Sequence, residues 1–338
     1  MKNFTYYRPT TVEQVVAMLD GTYGATELLA GGTDLLDLQK EYVAQPDKVV
    51  SLGGLGKEFR EIVVKPMVGA GMPISAEIGA GATLAEIAEH KQLREFFPAL
   101  TTAAGEIGGP QIRNMGTLGG NLCQRNRCWY FRDEAVPCLL KGGRKCYATD
   151  GENQYHAVFT QGHKCVIVNP STLAPALVAL GATAEVVGPK GKRTIGLDKF
   201  FRAPEDATHR EHVLAANELL TKVSLVSGPA SASYEVRHKQ AYDWPLVQAV
   251  VAFKLEGGKA TNARVVLGHV APTPHVATAA AKALEGKAVT EDTAAAAGKA
   301  ATEGAKPLSG NAYKLKLIEV AVKRAALLAA GAKPYWVV

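Results

Sequence analysis

The sequence predicts an α+β protein made of three consecutive units. Three observations carry that reading. Residues 1–55 alternate short apolar strands with helical stripes; residues 56–226 mix strands and helices without an internal repeat; and after Gly228 a long hairpin runs into alanine-rich helices. The length of 338 residues suits two or three domains, at about 100–200 residues each. An apolar content of 47% is ample for real cores, and a charged content of 21% argues against wholesale disorder.

In the first unit, Thr10-Thr-Val-Glu13 has the form of a capping box ahead of a stripe of Val12, Val15, Val16 and Leu19. Glu27 to Ala30 reads as a strand ending at Gly31-Gly32. Thr33 is placed to cap a helix from Asp34 to Tyr42, and Asp47 to Leu52 reads as another strand. In the second unit, strands are expected at Glu58–Val64, Ser75–Ala80, Lys164–Val168, Thr183–Val187 and Leu219–Val226. Helices are expected after a second capping box, Thr83-Leu-Ala-Glu86, from Pro98 to Ile107, and behind Ser171, where Leu173, Leu177 and Leu180 share a face. The third unit, 227–338, opens on the hairpin Leu246–Leu255, Glu256-Gly-Gly-Lys259, Ala260–Val270. It closes on an amphipathic helix carrying Leu315, Ile318, Val322, Ala325 and Ala329.

Two glycine-rich segments stand out. Leu28-Leu-Ala-Gly-Gly-Thr-Asp-Leu35 joins a strand to a helix, and Gly116-Thr-Leu-Gly-Gly-Asn121 lies in a longer run that starts at Gly105. Adjacent glycines let a backbone approach a diphosphate and turn its N–H groups inward. Neither segment is a Gly-x-Gly-x-x-Gly or a P-loop. The residues alone therefore leave two readings open: an extended dinucleotide such as FAD, or two ordinary turns.

All five cysteines, Cys123, Cys128, Cys138, Cys146 and Cys165, fall within 43 positions, separated by four, nine, seven and eighteen residues. A cubane needs four converging thiolates. Zinc accepts the same donors but usually takes Cys-x2-4-Cys knuckles, which are absent here. Iron–sulfur, zinc and plain buried thiols all remain open on spacing alone. Arg125, Arg127 and Arg132 are placed to offset a cluster's negative charge.

The net charge of +6 comes without Lys/Arg blocks or an aromatic–basic stripe, so no nucleic-acid partner is expected. No stretch reaches the ~18 apolar residues of a membrane span. With no apolar leader after Met1, the expected location is cytoplasmic by default, or periplasmic if a partner carries the export signal.

Leu29-Ala-Gly-Gly-Thr-Asp-Leu35, Ile112-Arg-Asn-Met-Gly-Thr-Leu-Gly-Gly-Asn121 and Leu173-Ala-Pro-Ala-Leu177 are similar to the FAD-binding subunit of molybdenum hydroxylases, the family of xanthine dehydrogenase, carbon monoxide dehydrogenase and aldehyde oxidoreductases. The similarity is greatest to members with an extra cysteine loop, bacterial aldehyde oxidoreductase and 4-hydroxybenzoyl-CoA reductase, whose flavin subunit also holds a 4Fe–4S cluster. The resemblance implies a two-subdomain FAD-binding fold of the vanillyl-alcohol-oxidase/CO-dehydrogenase flavoprotein type (1–55 and 56–226, with a cysteine loop at 122–165), plus a C-terminal α/β domain.

It further implies that FAD lies between the first two units. The diphosphate would rest on backbone N–H groups of Ala30, Gly31, Gly32, Thr33 and Asp34, with Gly32 the position where a side chain blocks it; Leu28, Leu29 and Leu35 would also belong to the cofactor site. Ile112 to Asn121, with Ile112, Asn114, Gly116, Thr117, Gly119, Gly120 and Asn121 as its binding residues, would wrap the flavin end, and Gly109 would also belong to the cofactor site. Thr172 stands where relatives usually have aspartate, and Lys239 resembles a lysine that reaches the flavin from the third unit. The implied cluster ligands are Cys128, Cys138, Cys146 and Cys165, with Cys123 spare. No catalytic acid, base or nucleophile is implied. The partners implied are a large molybdenum-cofactor subunit and a small 2Fe–2S subunit, with electrons passing through FAD to an external acceptor. Aldehydes are the leading substrates of the whole assembly, with aromatic acyl-CoA thioesters or N-heterocycles behind them. The cluster would extend that relay or staple its loop. The competing readings are a stand-alone flavin-dependent oxidoreductase and a zinc-binding scaffold.

Overall fold

A computed structural model of the chain describes residues 1–66, 74–239 and 242–334. A three-stranded parallel sheet comes first, in the order Thr5–Tyr7, Lys48–Ser51, Thr26–Leu29. A five-stranded antiparallel sheet follows, in the order Ile62–Pro66, Ile74–Gly79, Leu219–Val226, Thr183–Gly188, Gly191–Gly196. A four-stranded antiparallel sheet closes the chain, in the order His275–Val276, Lys259–Gly268, Val247–Glu256, Ala230–Val236. The helix Lys314–Ala329 packs its Ile318–Val322–Ala325–Ala329 stripe on this last sheet, as the periodicity requires.

One continuous core runs through both earlier sheets, from Val15 and Val50 to Ile78, Phe97, Leu177 and Phe200. A second fills the C-terminal layer and takes in Val158 and Phe159 from the cysteine loop. A third, smaller one gathers Leu38, Phe131, Cys138, Leu140, Cys165 and Ile167.

Several local expectations shift for physical reasons. The first helix is Val12–Met18, capped by Thr11, and Gln14 takes the back-reaching role assigned to Glu13: the Thr10 N–H donates to Gln14 Oε1 at 2.9 Å. The Thr83/Glu86 box forms as read, with Thr83 N–H donating to Glu86 Oε2 at 2.7 Å. Residues 57–59 wind into a 3-10 turn, so the strand there starts only at Ile62. The 164–168 segment joins no sheet; its Val166 carbonyl accepts the Ala157 N–H, and just beyond it the Asn169 N–H donates to the Ala271 carbonyl. Ser171 Oγ accepts the Ala174 N–H at 3.1 Å, the capping contact expected of it.

Candidate functional site

The glycine-rich run folds into two short helical turns, Pro110–Met115 and Leu118–Cys123, and lies across the end of the strand Thr26–Leu29. The two glycine segments meet backbone to backbone. A Cβ placed on Gly31 would lie 1.8 Å from the Met115 carbonyl oxygen, so only glycine permits the crossing. Gly32 has φ +77°, a conformation that side chains rarely adopt, and its own Cβ would face Leu36 and Leu29 rather than open space.

Between the segments lies a cleft of about 570 Å³. Leu28, Ala30 to Leu35, Gly109, Ile112, Gly116, Thr117, Gly119, Gly120, Asn121 and Thr172 all line it. Leu29 and Asn114 do not line it. Lys239 is exposed and also stays outside the lining, while Gln240 and Ala241 beside it lie outside the described residues. Among the described residues, the N–H groups of Gly31, Gly32, Thr33 and Asp34 meet no acceptor, so four consecutive donors are free for an anion. Arg125, Arg127 and Arg210 line the same cleft, as do Tyr23, His212, Tyr242 and Trp244. Sequence reasoning assigned none of these seven to the nucleotide site, because they come from separate loops with no local motif.

Asp34 heads the helix Leu35–Lys40 but makes no side-chain cap bond, and Thr33 does not cap the helix either. The Asp34 carboxylate instead accepts the Arg125 backbone N–H at 2.8 Å, Arg132 at 2.6 Å, and Arg127. Burial pushes its carboxyl up, and Arg127 and Arg132 more than offset that, holding it low. The three arginines thus neutralise protein acids: Arg132 also meets Asp37, and Arg125 pairs with Glu211 at 2.8 Å. This corrects the expectation that their charge faces a cluster.

Glu211 is fully buried and accepts from Asn126 N–H and Nδ2 at 3.0 and 2.7 Å. Burial alone would raise its carboxyl, but Arg125 and the Asn126 donors hold it low.

His212, beside Glu211, is buried with its Nδ1 unpartnered, and burial pushes it down to about 4. Its folded value lies below the ordinary 6.5. The folded chain therefore binds fewer protons than the unfolded chain between pH 6.5 and 4, and stability falls as pH drops through that window. Buried His269, pushed down to about 3, acts in the same direction. Denaturant midpoints should drop steadily from pH 6.5 towards 4, and a His212→Gln variant should show a shallower drop; equal slopes would exclude His212 as a contributor.

Arg127 lines the cleft, and the next residue, Cys128, lines a second, smaller cavity with Cys138, Cys146 and Cys165. Cys123 lines the large cleft instead. Backbone N–H groups near each sulfur favour its thiolate form: Tyr130 and Phe131 at Cys128, Leu140 and Lys141 at Cys138, Ala148 and Val166 at Cys146, and Ile167 at Cys165. Burial pushes Cys128 up to about 12. A hydrogen bond from Cys165 brings Cys146 down to about 5, and the same contact raises Cys165. The space the four thiols enclose is about 10 Å³, and ligation would deprotonate them.

Among the described residues, no group of three or more His, Cys, Asp or Glu side chains is arranged to hold a single metal ion. A zinc tetrahedron would need sulfurs about 3.8 Å apart around one ion. A cubane takes one thiolate at each of four separate irons. Soft donors and the convergence of four thiols on one cavity fit the latter.

The rest of the cysteine loop is anchored without any metal. Asn311 Nδ2 donates to the carbonyls of His156 and Ala157 at 3.1 Å, Lys314 Nζ to that of Tyr155 at 2.9 Å, and Tyr313 Oη to that of Gln154 at 2.8 Å.

A nucleotide-sized cleft floored by two glycine segments, next to an antiparallel C-terminal layer, is the architecture of one flavoprotein class. Residues 2–225 match the FAD binding domain in molybdopterin dehydrogenase, and residues 232–329 match the CO dehydrogenase flavoprotein C-terminal domain. The chain belongs to the FAD-binding subunits of the molybdenum hydroxylases, an oxidoreductase family. It is 33% identical over 322 residues to the aldehyde oxidoreductase FAD-binding subunit PaoB of Escherichia coli, covering 94% of this chain and 95% of that subunit. It is 28% identical over 338 residues to the carbon monoxide dehydrogenase medium chain of Hydrogenophaga pseudoflava, covering 95% of each. A solved structure of carbon monoxide dehydrogenase from the same organism superposes with a TM-score of 0.73 at 27% identity, over 97% of both chains. Among the described residues, no helix is long and apolar enough to cross a membrane.

Proposed function

We propose that this chain is the FAD- and 4Fe–4S-carrying electron-transfer subunit of an aldehyde-oxidising molybdenum hydroxylase. It would work beside a large molybdenum-cofactor subunit and a small 2Fe–2S subunit, and deliver electrons to an external acceptor. One observation carries the reading: four thiols converge on a cavity that begins one residue along the chain from the FAD cleft, at the Arg127–Cys128 peptide. The similarity to an aldehyde oxidoreductase FAD-binding subunit points to aldehydes as the substrate class.

When bound, FAD supplies the switch between two-electron and one-electron transfer, and the cluster supplies one-electron steps. The protein's own part is placement. The free N–H groups of Gly31 to Asp34 would receive the diphosphate, while Arg125 and Arg210 line the same cleft paired with Glu211 and Glu27. Thr172, held by His269 Nε2 at 3.3 Å, presents its hydroxyl at the cleft in place of a charged group. Arg127 stacks over Trp244, with its guanidinium carbon 5.0 Å from the ring centroid, and closes the cleft on the cluster side. Cys128, Cys138, Cys146 and Cys165 hold the iron. The loop's own anchors to the C-terminal layer favour a relay role for the cluster over a stapling role.

The test is composition. The chain, purified anaerobically with its co-expressed neighbours, should contain about eight iron atoms per flavin together with molybdenum, as one 4Fe–4S and two 2Fe–2S centres require. Flavin without iron would instead indicate a lone flavin oxidoreductase, and a colourless zinc protein a scaffold. Within that preparation, Cys138→Ser or Cys165→Ser should lose four iron atoms per chain, about one cubane, while Cys123→Ser keeps them. Loop residues 148–159 should stay protease-resistant in the iron-depleted variants. Full iron content in Cys165→Ser would remove it from the ligand set.

A further inference from the structure

The imidazole of His156 sits against one of the proposed cluster sulfurs. Its Nε2 lies 3.2 Å from Cys128 Sγ. The two residues are 28 positions apart, so the contact is tertiary. The ring is fixed on several sides. The residue is 3% exposed, its N–H donates to Asn153 O at 3.0 Å, and its carbonyl accepts from Asn311. Trp129 meets the ring edge-on at 5.5 Å, and Tyr130 lies 6.3 Å away.

Its other nitrogen decides the direction of the contact. Nδ1 is buried with no hydrogen-bond partner. If the proton sat on Nδ1, a buried N–H would be orphaned and the Nε2 lone pair would face the sulfur lone pairs. With the proton on Nε2, the N–H donates to sulfur, and only an acceptor is left unpaired, which is the smaller cost. A doubly protonated ring would donate from the same nitrogen, so the assignment does not depend on the ring's charge.

We infer that His156 donates a hydrogen bond from Nε2 to the Cys128 thiolate and thereby sets the reduction potential of the cluster that Cys128 helps to hold. The inference rests on the cluster reading given above. The reason is electrostatic. A one-electron reduction, with the electron supplied by a partner 2Fe–2S centre, places additional negative charge on the cluster and its thiolate sulfurs. A donor aimed at one of those sulfurs stabilises the reduced form more than the oxidised form, so it raises the potential. His156 is therefore a positioning residue for electron flow. It makes the cluster easier to reduce than the backbone cradle alone would.

The experiment is an EPR-monitored redox titration of the full chain, purified with its co-expressed neighbours, as wild type, His156→Phe and His156→Gln. Phenylalanine keeps the ring packing against Trp129 and Tyr130 but has no N–H. Its cluster should show about a tenfold lower reduced-to-oxidised ratio at a fixed potential, equal to ~59 mV for a one-electron couple. Glutamine, which retains an N–H donor, should recover part of that shift. An iron-replete His156→Phe variant with an unchanged potential would overturn the inference.

A second measurement stands even if the phenylalanine variant fails to hold iron. Electron–nuclear double resonance on the wild-type cluster, with 15N-histidine labelling and exchange into deuterated water, should reveal a coupled histidine nitrogen and an exchangeable proton. Their absence from an iron-replete protein overturns the inference by itself. Absence of iron from the wild-type preparation removes the cluster reading instead, and is visible in the metal analysis before any variant is made.

Discussion

Gly31→Val should give a chain that purifies without bound FAD. The Gly31 Cβ would lie 1.8 Å from the Met115 carbonyl oxygen and 2.5 Å from its carbon. Both are backbone atoms, so no rotamer change relieves the clash, and the two glycine segments must separate. That separation opens the cleft and disperses the free N–H groups. Gly32→Ala is the informative contrast. There the new methyl meets the ends of Leu36 and Leu29, at 3.0 and 3.4 Å, which can move. Its cost is that of a left-handed backbone, about 1–2 kcal/mol, and flavin should be retained in part. Flavin absorbance and titration of added FAD separate the two variants. Full flavin occupancy in Gly31→Val would refute the crossing as the determinant of the site. The sequence pointed to Gly32 as the position where a side chain excludes the diphosphate; the demand for glycine at position 31 has no local signal, because closeness to Met115 is a tertiary contact.

Glu211→Ala should destabilise the protein by about 3–5 kcal/mol, the usual cost of removing one partner from a buried ion pair. Arg125, whose side chain is 12% exposed, would lose its counter-charge, and the two Asn126 donors would lose their acceptor. The Arg125 contact is close, at 2.8 Å, but its Nε–H does not point along it, so attraction of charge, more than a directed bond, holds the pair. The damage should spread in two directions, since Arg125 lines the FAD cleft and Cys128 follows two residues after Asn126. Loss of both flavin and iron is therefore expected at temperatures the wild type survives. A double variant, Glu211→Met with Arg125→Met, should be less destabilised than Glu211→Ala, because it removes both charges together. A change below about 1 kcal/mol in chemical denaturation of the single variant would show that water reaches Arg125 and that the pair is not structural.

Both predictions concern the junction between the two proposed cofactor sites. Asp34 closes the first glycine segment, yet its carboxylate serves Arg125, Arg127 and Arg132 from the cysteine loop. The sequence marked Asp34 as part of a nucleotide motif and the arginines as counter-charges for a cluster. Nothing local shows that residues more than ninety positions apart pair with each other. The helix cap expected from Thr33 fails as well: the N-cap position falls at Asp34, and the carboxylate there is engaged by the cysteine-loop arginines.

The sequence by itself determined what depends on neighbours along the chain. Strand alternation, the Thr83–Glu86 capping box and the stripe of the last helix are short-range patterns with short-range causes. Residue types also carried the donor chemistry, since five cysteines in one segment speak of soft ligands wherever they end up. Tertiary structure alone decided which groups meet. It turned Cys123 into the FAD cleft while Cys128, Cys138, Cys146 and Cys165 closed on their own cavity. It left Lys239 exposed, brought Arg210 and Trp244 into the lining, and set His156 against Cys128. These contacts are fixed by burial and by the pairing of charges across distant segments, and neither leaves a periodic signal in the chain.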